Sequence, residues 1–127
     1  MTASVGEILQ TAADVQQQGT LLLELSEGLN AAQENAVLKI IQSVEIFTNC
    51  VIELKDFLER DDRDMHSVSH NLRTPLVSVR GYPEMLLLDM YGSLTDLQFE
   101  QVSQLDESAA RLVALVETLF TEEPFSS

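Results

Sequence analysis

Three side chains of types that handle phosphoryl groups lie close together near the middle of the chain. His70, Arg73 and Thr74 occur in the stretch HNLRTP. An imidazole nitrogen is a nucleophile that can carry a covalent group, and a guanidinium offers paired donors to phosphoryl oxygens. The hydroxyl of Thr74, four residues after the histidine, lies on the same face if the segment is helical. Either these residues form a site for a covalently carried group such as a phosphoryl group, or the histidine is exposed and has no role.

The apolar residues before and through this stretch recur at alternating steps of three and four. The first part of the series is Val37, Ile40, Val44, Phe47, Val51, Leu54 and Leu58, and it continues through Met65, Val68, Leu72, Val79, Tyr82 and Leu86. This pattern predicts one long helix from about residue 31 to 90, with bends at Pro75 and near Pro83. His70 then faces outwards between Val68 and Leu72. A helix of that length needs a partner chain to bury its stripe.

A second helix follows a break in the segment DMYGSLTD. Gly92 is expected to cap the first helix, and the pair Thr95 and Gln98 has the spacing of a capping box for the second. The second apolar series is Val102, Leu105, Ala109, Leu112, Val116 and Leu119. The fold class expected is therefore all-α, a long helical hairpin that forms a dimeric four-helix bundle.

The N-terminal residues form an additional amphipathic pattern, which Gly19 weakens. We predict two units: an N-terminal amphipathic helix over residues 1–30, and a dimerisation and histidine-phosphoacceptor helical hairpin over residues 31–127. The alternative is a monomeric three-helix bundle with residues 4–29 as its third helix.

Composition limits the partners and the compartment. The 127 residues carry a formal net charge of −14, which disfavours nucleic acid and anionic membranes as partners. The single cysteine, Cys50, cannot form an internal disulfide and is read as a reduced core residue. The N-terminus lacks the features of a signal peptide, and no apolar run approaches 18 residues, so a cytoplasmic location is expected.

The segment SHNLRTPLVSVRGYPEMLL resembles the H-box of sensor histidine kinases, and GSLTDLQFEQVSQLDESAARLVALVETLF resembles their second dimerisation helix. The likeness covers about residues 60 to 121. It implies a homodimeric four-helix bundle in which His70 is the phosphoacceptor and exchanges phosphate with an aspartate of a response-regulator receiver domain. Arg73, Thr74 and Pro75 occupy matching positions, and Thr74 is implied to assist dephosphorylation.

Two departures from that family concern the transfer from ATP. The acidic residue that usually follows the histidine is Asn71, and an amide cannot act as the general base. No glycine-rich phosphate cradle occurs and the chain ends soon after the second helix, so we expect a stand-alone phosphotransfer form without autokinase activity. No cofactor is expected on this chain; Mg²⁺ is expected on the partner receiver domain.

Other interpretations remain open. The chain is alternatively a non-catalytic adaptor that binds a receiver domain or a histidine kinase in trans, or a dimer module whose sensing lies in residues 1–30. Asp62, His66 and His70 recur at steps of four, but a fourth ligand is missing, so no metal site is expected.

Overall fold

The computed structural model describes residues 5–25, 28–59 and 65–121. They form four helices: α1 (Val5–Leu25), α2 (Ala31–Glu59), α3 (Met65–Leu87) and α4 (Asp96–Thr121). No strand occurs among these residues, and the predicted all-α class with a helical hairpin is confirmed.

The apolar series from residue 31 to 90 is divided between two helices that lie side by side. α2 and α3 pack against each other. The Asn30 side chain, just before α2, donates a 2.7 Å hydrogen bond to the carbonyl of Tyr91, just after α3. The two helices are therefore antiparallel, and the prediction of one continuous helix is wrong. The three-four spacing shows only which face of a helix is buried. The same spacing continues from α2 into α3, so it does not distinguish one long helix from two antiparallel helices. Asp61, which interrupts the apolar series and is expected to loosen the coil there, lies outside the described residues.

The four helices form an up-down-up-down bundle within one chain. Each helix packs against its two neighbours in the order α1, α2, α3, α4 and back to α1. Gly19 of α1, for example, lies against Ile41 of α2 and Leu105 of α4. The described part of the apolar stripe is thus buried without a partner chain. Burial of this part of the stripe therefore does not require a dimer, and the three-helix alternative is wrong because the described residues form four helices.

The core is aliphatic, with Phe47 as its largest side chain. Its residues on α1 and α2 include Ile8, Ala12, Val15, Leu22, Val37, Ile40, Val44 and Val51, and those on α3 and α4 include Leu72, Leu76, Val79, Leu86, Val102, Leu105, Ala109, Leu112 and Val116. Full burial of each Val, Leu, Ile or Phe contributes roughly 1.5–3 kcal/mol relative to exposure. This shared core fixes the face that each helix turns outwards.

α3 ends in a Schellman motif at Asp89 and not at Gly92. The amide of Met90 donates to the carbonyl of Met85 at 3.1 Å, and the amide of Asp89 donates to Leu86 at 3.2 Å. Asp89 has a φ of 60°, in the left-handed region that usually holds glycine. Gly92 (φ 112°) lies further along the connection. The prediction of Gly92 as the cap is therefore wrong.

α2 and α4 both begin with reciprocal capping boxes. The Gln98 amide donates to the Thr95 hydroxyl at 3.1 Å, and the Thr95 amide donates to the Gln98 side chain at 2.9 Å. This confirms the predicted box. Asn30 and Gln33 form the same pair of bonds at the start of α2, at 2.9 and 2.7 Å.

Residues Ala31–Glu53 of α2 are long and apolar enough to cross a membrane by length and composition. This segment is not an uninterrupted apolar run, since it contains Glu34, Lys39 and Glu45. Core helices of water-soluble bundles pass the same test, and α2 buries Val37, Ile40 and Val44 in the bundle. This single helix is weak support for a membrane span.

Candidate functional site

His70 lies in the second turn of α3 and is exposed, as the sequence predicts. The neighbouring Leu72 is 1% exposed and belongs to the core, which turns His70 away from it. Asn71, Arg73 and Thr74 are also exposed. The structure therefore presents all four predicted site residues on the surface of one helix, where another protein can reach them.

The hydroxyl of Thr74 is held by the backbone of His70. Its Oγ donates a 2.9 Å hydrogen bond to the carbonyl oxygen of His70, one turn earlier. This bond fixes the hydroxyl oxygen beside the backbone of the histidine, with its lone pairs available to accept a hydrogen bond. The hydroxyl can thus orient a water molecule near the imidazole, provided that the water donates to it.

Pro75 and Pro83 both lie inside α3, and the helix continues through them to Leu87. The predicted bends at Pro75 and near Pro83 therefore do not interrupt the helix. Pro75 has no amide hydrogen and cannot donate to the carbonyl of Asn71, as helical geometry would require. Both prolines are buried, so core packing maintains the helix at these positions.

Arg73 is joined to the returning helix by an ion pair. Its Nη2 lies 3.4 Å from Oε2 of Glu117 on α4, and the two side chains are 47% and 50% exposed. A pair this exposed contributes about 0–1 kcal/mol, so it can exchange for a stronger anion. Glu117 was not among the predicted site residues. Its place beside Arg73 depends on the register between two antiparallel helices, which the apolar pattern does not give.

A groove runs between α3 and α4 from the level of Arg73 away from His70. We call it the acceptor groove, and it is lined by Arg73, Leu76, Val77, Arg80, Val113 and Glu117. Val77 is 74% exposed, and Arg80 pairs with Asp106 of α4 at 2.9 Å. The groove thus has an apolar centre with charged groups of both signs, a composition that suits a transient protein contact.

Two other groups bear on the chemistry. Among the described residues no cluster of three His, Cys, Asp or Glu side chains could hold a metal; Asp62 and the side chain of His66 lie outside them. Burial, with Glu53 nearby, raises the pKa of the Cys50 thiol. The thiol therefore stays protonated near neutral pH, as expected of a reduced residue packed against the core.

Comparison with known proteins agrees with this geometry. Residues 65–123 match the His Kinase A (phospho-acceptor) domain, abbreviated HisKA. The sensor histidine kinase GlrK of Escherichia coli is 44% identical over 55 residues, which cover 43% of this chain and 12% of the kinase. An uncharacterized sensor-like histidine kinase of Rhizobium meliloti is 38% identical over 58 residues, 45% of this chain and 11% of that protein.

A third relative is the non-motile and phage-resistance protein of Caulobacter vibrioides, 37% identical over 51 residues, 39% of this chain and 6% of that protein. The chain thus spans a small fraction of the length of these relatives, whose activities belong to much longer proteins. No solved structure matches the chain. The match includes His70 and both helices of the α3–α4 hairpin. Over residues 65–123, just under half of its length, the chain therefore matches the HisKA (phospho-acceptor) domain of two-component signalling proteins.

Proposed function

We propose that the chain exchanges a phosphoryl group between His70 and an aspartate of a response-regulator receiver domain. The observation that carries this proposal is the exposed imidazole of His70 within a matched phosphoacceptor domain, on a helix that the core holds in place. A surface imidazole on a rigid helix can enter the active site of a visiting domain without local unfolding.

The step is an in-line transfer between two protein groups. A ring nitrogen of His70 attacks the phosphorus of the receiver's aspartyl phosphate; the N–P bond forms as the P–O bond to the aspartate breaks. The carboxylate leaves, and a ring proton is released to solvent. Mg²⁺ on the receiver compensates the phosphoryl charge, so this chain supplies position and donors but no cofactor.

Arg73 and Thr74 have separate roles in this proposal. Arg73 leaves its exposed pair with Glu117 and donates to phosphoryl oxygens, which carry more charge than one carboxylate. Thr74, held on the His70 carbonyl, orients water for loss of the phosphate. Both act on the phosphorylated state, so their removal should alter its formation or lifetime.

Asn71 favours phosphoryl transfer from a receiver domain over autophosphorylation with ATP. An amide cannot take the proton that a carboxylate would accept during attack on ATP. Aspartyl phosphate already has a good leaving group, so its attack depends less on a base at this position. The acceptor groove beside Arg73 is the proposed contact for the receiver domain. A cytoplasmic location, without nucleic acid or membrane as partner, belongs to the same proposal.

The test uses the full chain and a receiver domain labelled with ³²P. Wild-type chain should gain acid-labile label and the receiver should lose it. His70→Gln should gain none, whereas His66→Gln, which alters the only other histidine, should behave as wild type. Equal labelling of wild type and His70→Gln would contradict the proposal.

The acceptor groove also supports a second candidate function, that of an adaptor. Its apolar centre and charged groups suit binding of a receiver domain or a histidine kinase whether or not phosphate moves. A receiver that binds wild type and His70→Gln with equal affinity, while neither chain is labelled, would favour the adaptor. The kinase in trans is tested in the same way, with the kinase and ATP in place of the phosphorylated receiver.

A further inference from the structure

We infer that α1 and α2 are a degenerate second copy of the α3–α4 hairpin, and that they fill within one chain the place of a second subunit. We call α1–α2 the N-terminal hairpin and α3–α4 the C-terminal hairpin. The functional unit is then a single chain with one phosphoacceptor and one receiver site. The HisKA resemblance alone implies a dimer with two.

The burial patterns of α1 and α3 coincide. The buried positions of α1 recur in α3 with a constant shift of 64 residues. The pairs are Ile8 and Leu72, Thr11 and Pro75, Ala12 and Leu76, Val15 and Val79, Gly19 and Pro83, and Leu22 and Leu86. Amphipathic helices share a general period, but the same sequence of three-, one- and four-residue steps over both helices is more specific than that period.

α2 and α4 coincide at six buried positions with a shift of 65 residues, whereas the buried Ala36 corresponds to the half-buried Gln101. The pairs are Gln33 and Gln98, Val37 and Val102, Ile40 and Leu105, Val44 and Ala109, Phe47 and Leu112, and Val51 and Val116. Apolar periodicity does not require a buried glutamine at the first of these positions, yet Gln33 and Gln98 are each 2% exposed. Both close a capping box with the residue three positions earlier.

The shift is one residue larger for the second helices of the hairpins than for the first, and the connections within the hairpins account for this difference. Gly28 and Gly92, again 64 residues apart, both have positive φ, at 91° and 112°. Leu29 then follows Gly28 directly, whereas Ser93 stands between Gly92 and Leu94. One inserted residue in the second connection therefore changes the shift from 64 to 65. Among the described residues the correspondence thus includes both helices of each hairpin, the positive-φ glycine and the capping box.

Hydrogen bonds join the two hairpins at this end of the bundle. The Gln33 side chain donates to the carbonyls of Gly92 and Ser93 at 3.2 and 3.1 Å, and the Asn30 side chain donates to Tyr91 at 2.7 Å. Gly92 permits the approach, because a Cβ there would lie 2.7 Å from the Asn30 side chain. The buried core of the described residues lies between the two hairpins within one chain and contains side chains of all four helices.

The correspondence also shows what the N-terminal hairpin lacks. With the shift of 64, Gly6 takes the place of His70, Leu9 that of Arg73, and Gln10 that of Thr74. Glycine has no side chain that could accept a phosphoryl group, and leucine has no donor for one. The N-terminal hairpin thus serves as scaffold, and only the C-terminal hairpin can exchange phosphate.

The mass of the full chain in solution tests this inference independently of phosphate transfer. Sedimentation equilibrium over a wide concentration range should give the mass of one chain, 14.1 kDa. A particle of twice that mass, including a dimer that exchanges hairpins, would overturn the inference. Because no phosphate is involved, the result stands whether or not His70 is a phosphoacceptor.

The receiver stoichiometry tests the single site and rests on the proposed function. Titration of the full chain with a receiver domain should saturate at one receiver per chain, with one chain in the complex. Two chains in the complex would contradict the inference. If no receiver binds, the proposed function fails, and the sedimentation result still decides the single-chain architecture.

Discussion

Arg73 of α3 and Glu117 of α4 form an exposed ion pair at 3.4 Å, one turn beyond His70. The pair holds the guanidinium in the acceptor groove in the unphosphorylated chain. A phosphoryl group on His70 would compete with Glu117 for the same donors. The charge of Glu117 should therefore oppose phosphorylation of His70, while Arg73 favours it.

Glu117→Gln should speed phosphate transfer to His70, and Arg73→Ala should slow it. A hydrogen bond to a charged group contributes about 1.5–3 kcal/mol, so loss of Arg73 should slow transfer roughly tenfold or more. Glu117→Gln should have a smaller effect of opposite sign, because the pair is exposed. Quenched-flow transfer from a labelled receiver measures both rates. Glu84→Gln, an exposed change elsewhere on α3, is the control; slower transfer in Glu117→Gln would show that the pair assists the reaction.

Thr74→Val should lengthen the lifetime of phosphorylated His70 in the presence of the receiver domain, since it removes the hydroxyl that accepts a hydrogen bond from water. Thr74→Ser keeps the hydroxyl and its bond to the His70 carbonyl, and should behave as wild type. The half-life of the acid-labile label measures this. A half-life that Thr74→Val leaves unchanged would remove Thr74 from the proposed dephosphorylation step.

Asp89→Gly should stabilise the fold by about 0.5–1 kcal/mol. Asp89 has a φ of 60°, and a side chain in that region is strained where glycine is not. Urea unfolding followed by circular dichroism measures the change. Gly92→Ala is the matched opposite: its positive φ and the nearby Asn30 side chain leave no room for a Cβ, so it should destabilise by about 1–3 kcal/mol. Destabilisation by Asp89→Gly would mean that the carboxylate has a role that the cap geometry does not show.

Cys50 should react slowly with iodoacetamide at pH 8 compared with a free cysteine. Burial and Glu53 raise the pKa of its thiol, and only the thiolate attacks the reagent. The alkylation rate of Cys50 should continue to rise with pH above the range in which the alkylation rate of free cysteine becomes constant. Mass spectrometry of the alkylated chain follows the reaction, with unfolding in urea as the control that restores the ordinary rate. Fast alkylation at pH 7 would contradict the assigned pKa direction.

Much of the site follows from the sequence because it depends on local periodicity. Leu72 on the apolar stripe fixes the outward direction of His70, and the pair Thr95 and Gln98 fixes the start of α4. Both are confirmed. The resemblance to HisKA supplied the identity of the domain, which periodicity alone could not.

The antiparallel packing of α2 against α3 could not be predicted in this way. The apolar series stays in phase from α2 into α3, so one long helix and two packed helices give the same pattern. The partner of Arg73 depends on the register of α3 against α4, and the cap at Asp89 depends on a backbone angle that aspartate adopts less readily than glycine. These features are set by tertiary packing.

Intact mass analysis of the chain after incubation with a phosphorylated receiver tests the central claim most directly. The account predicts one acid-labile phosphoryl group per chain, mapped to His70 and absent from His70→Gln. Phosphoryl transfer that persists in His70→Gln, or its absence from a wild-type chain that binds the receiver, would contradict it.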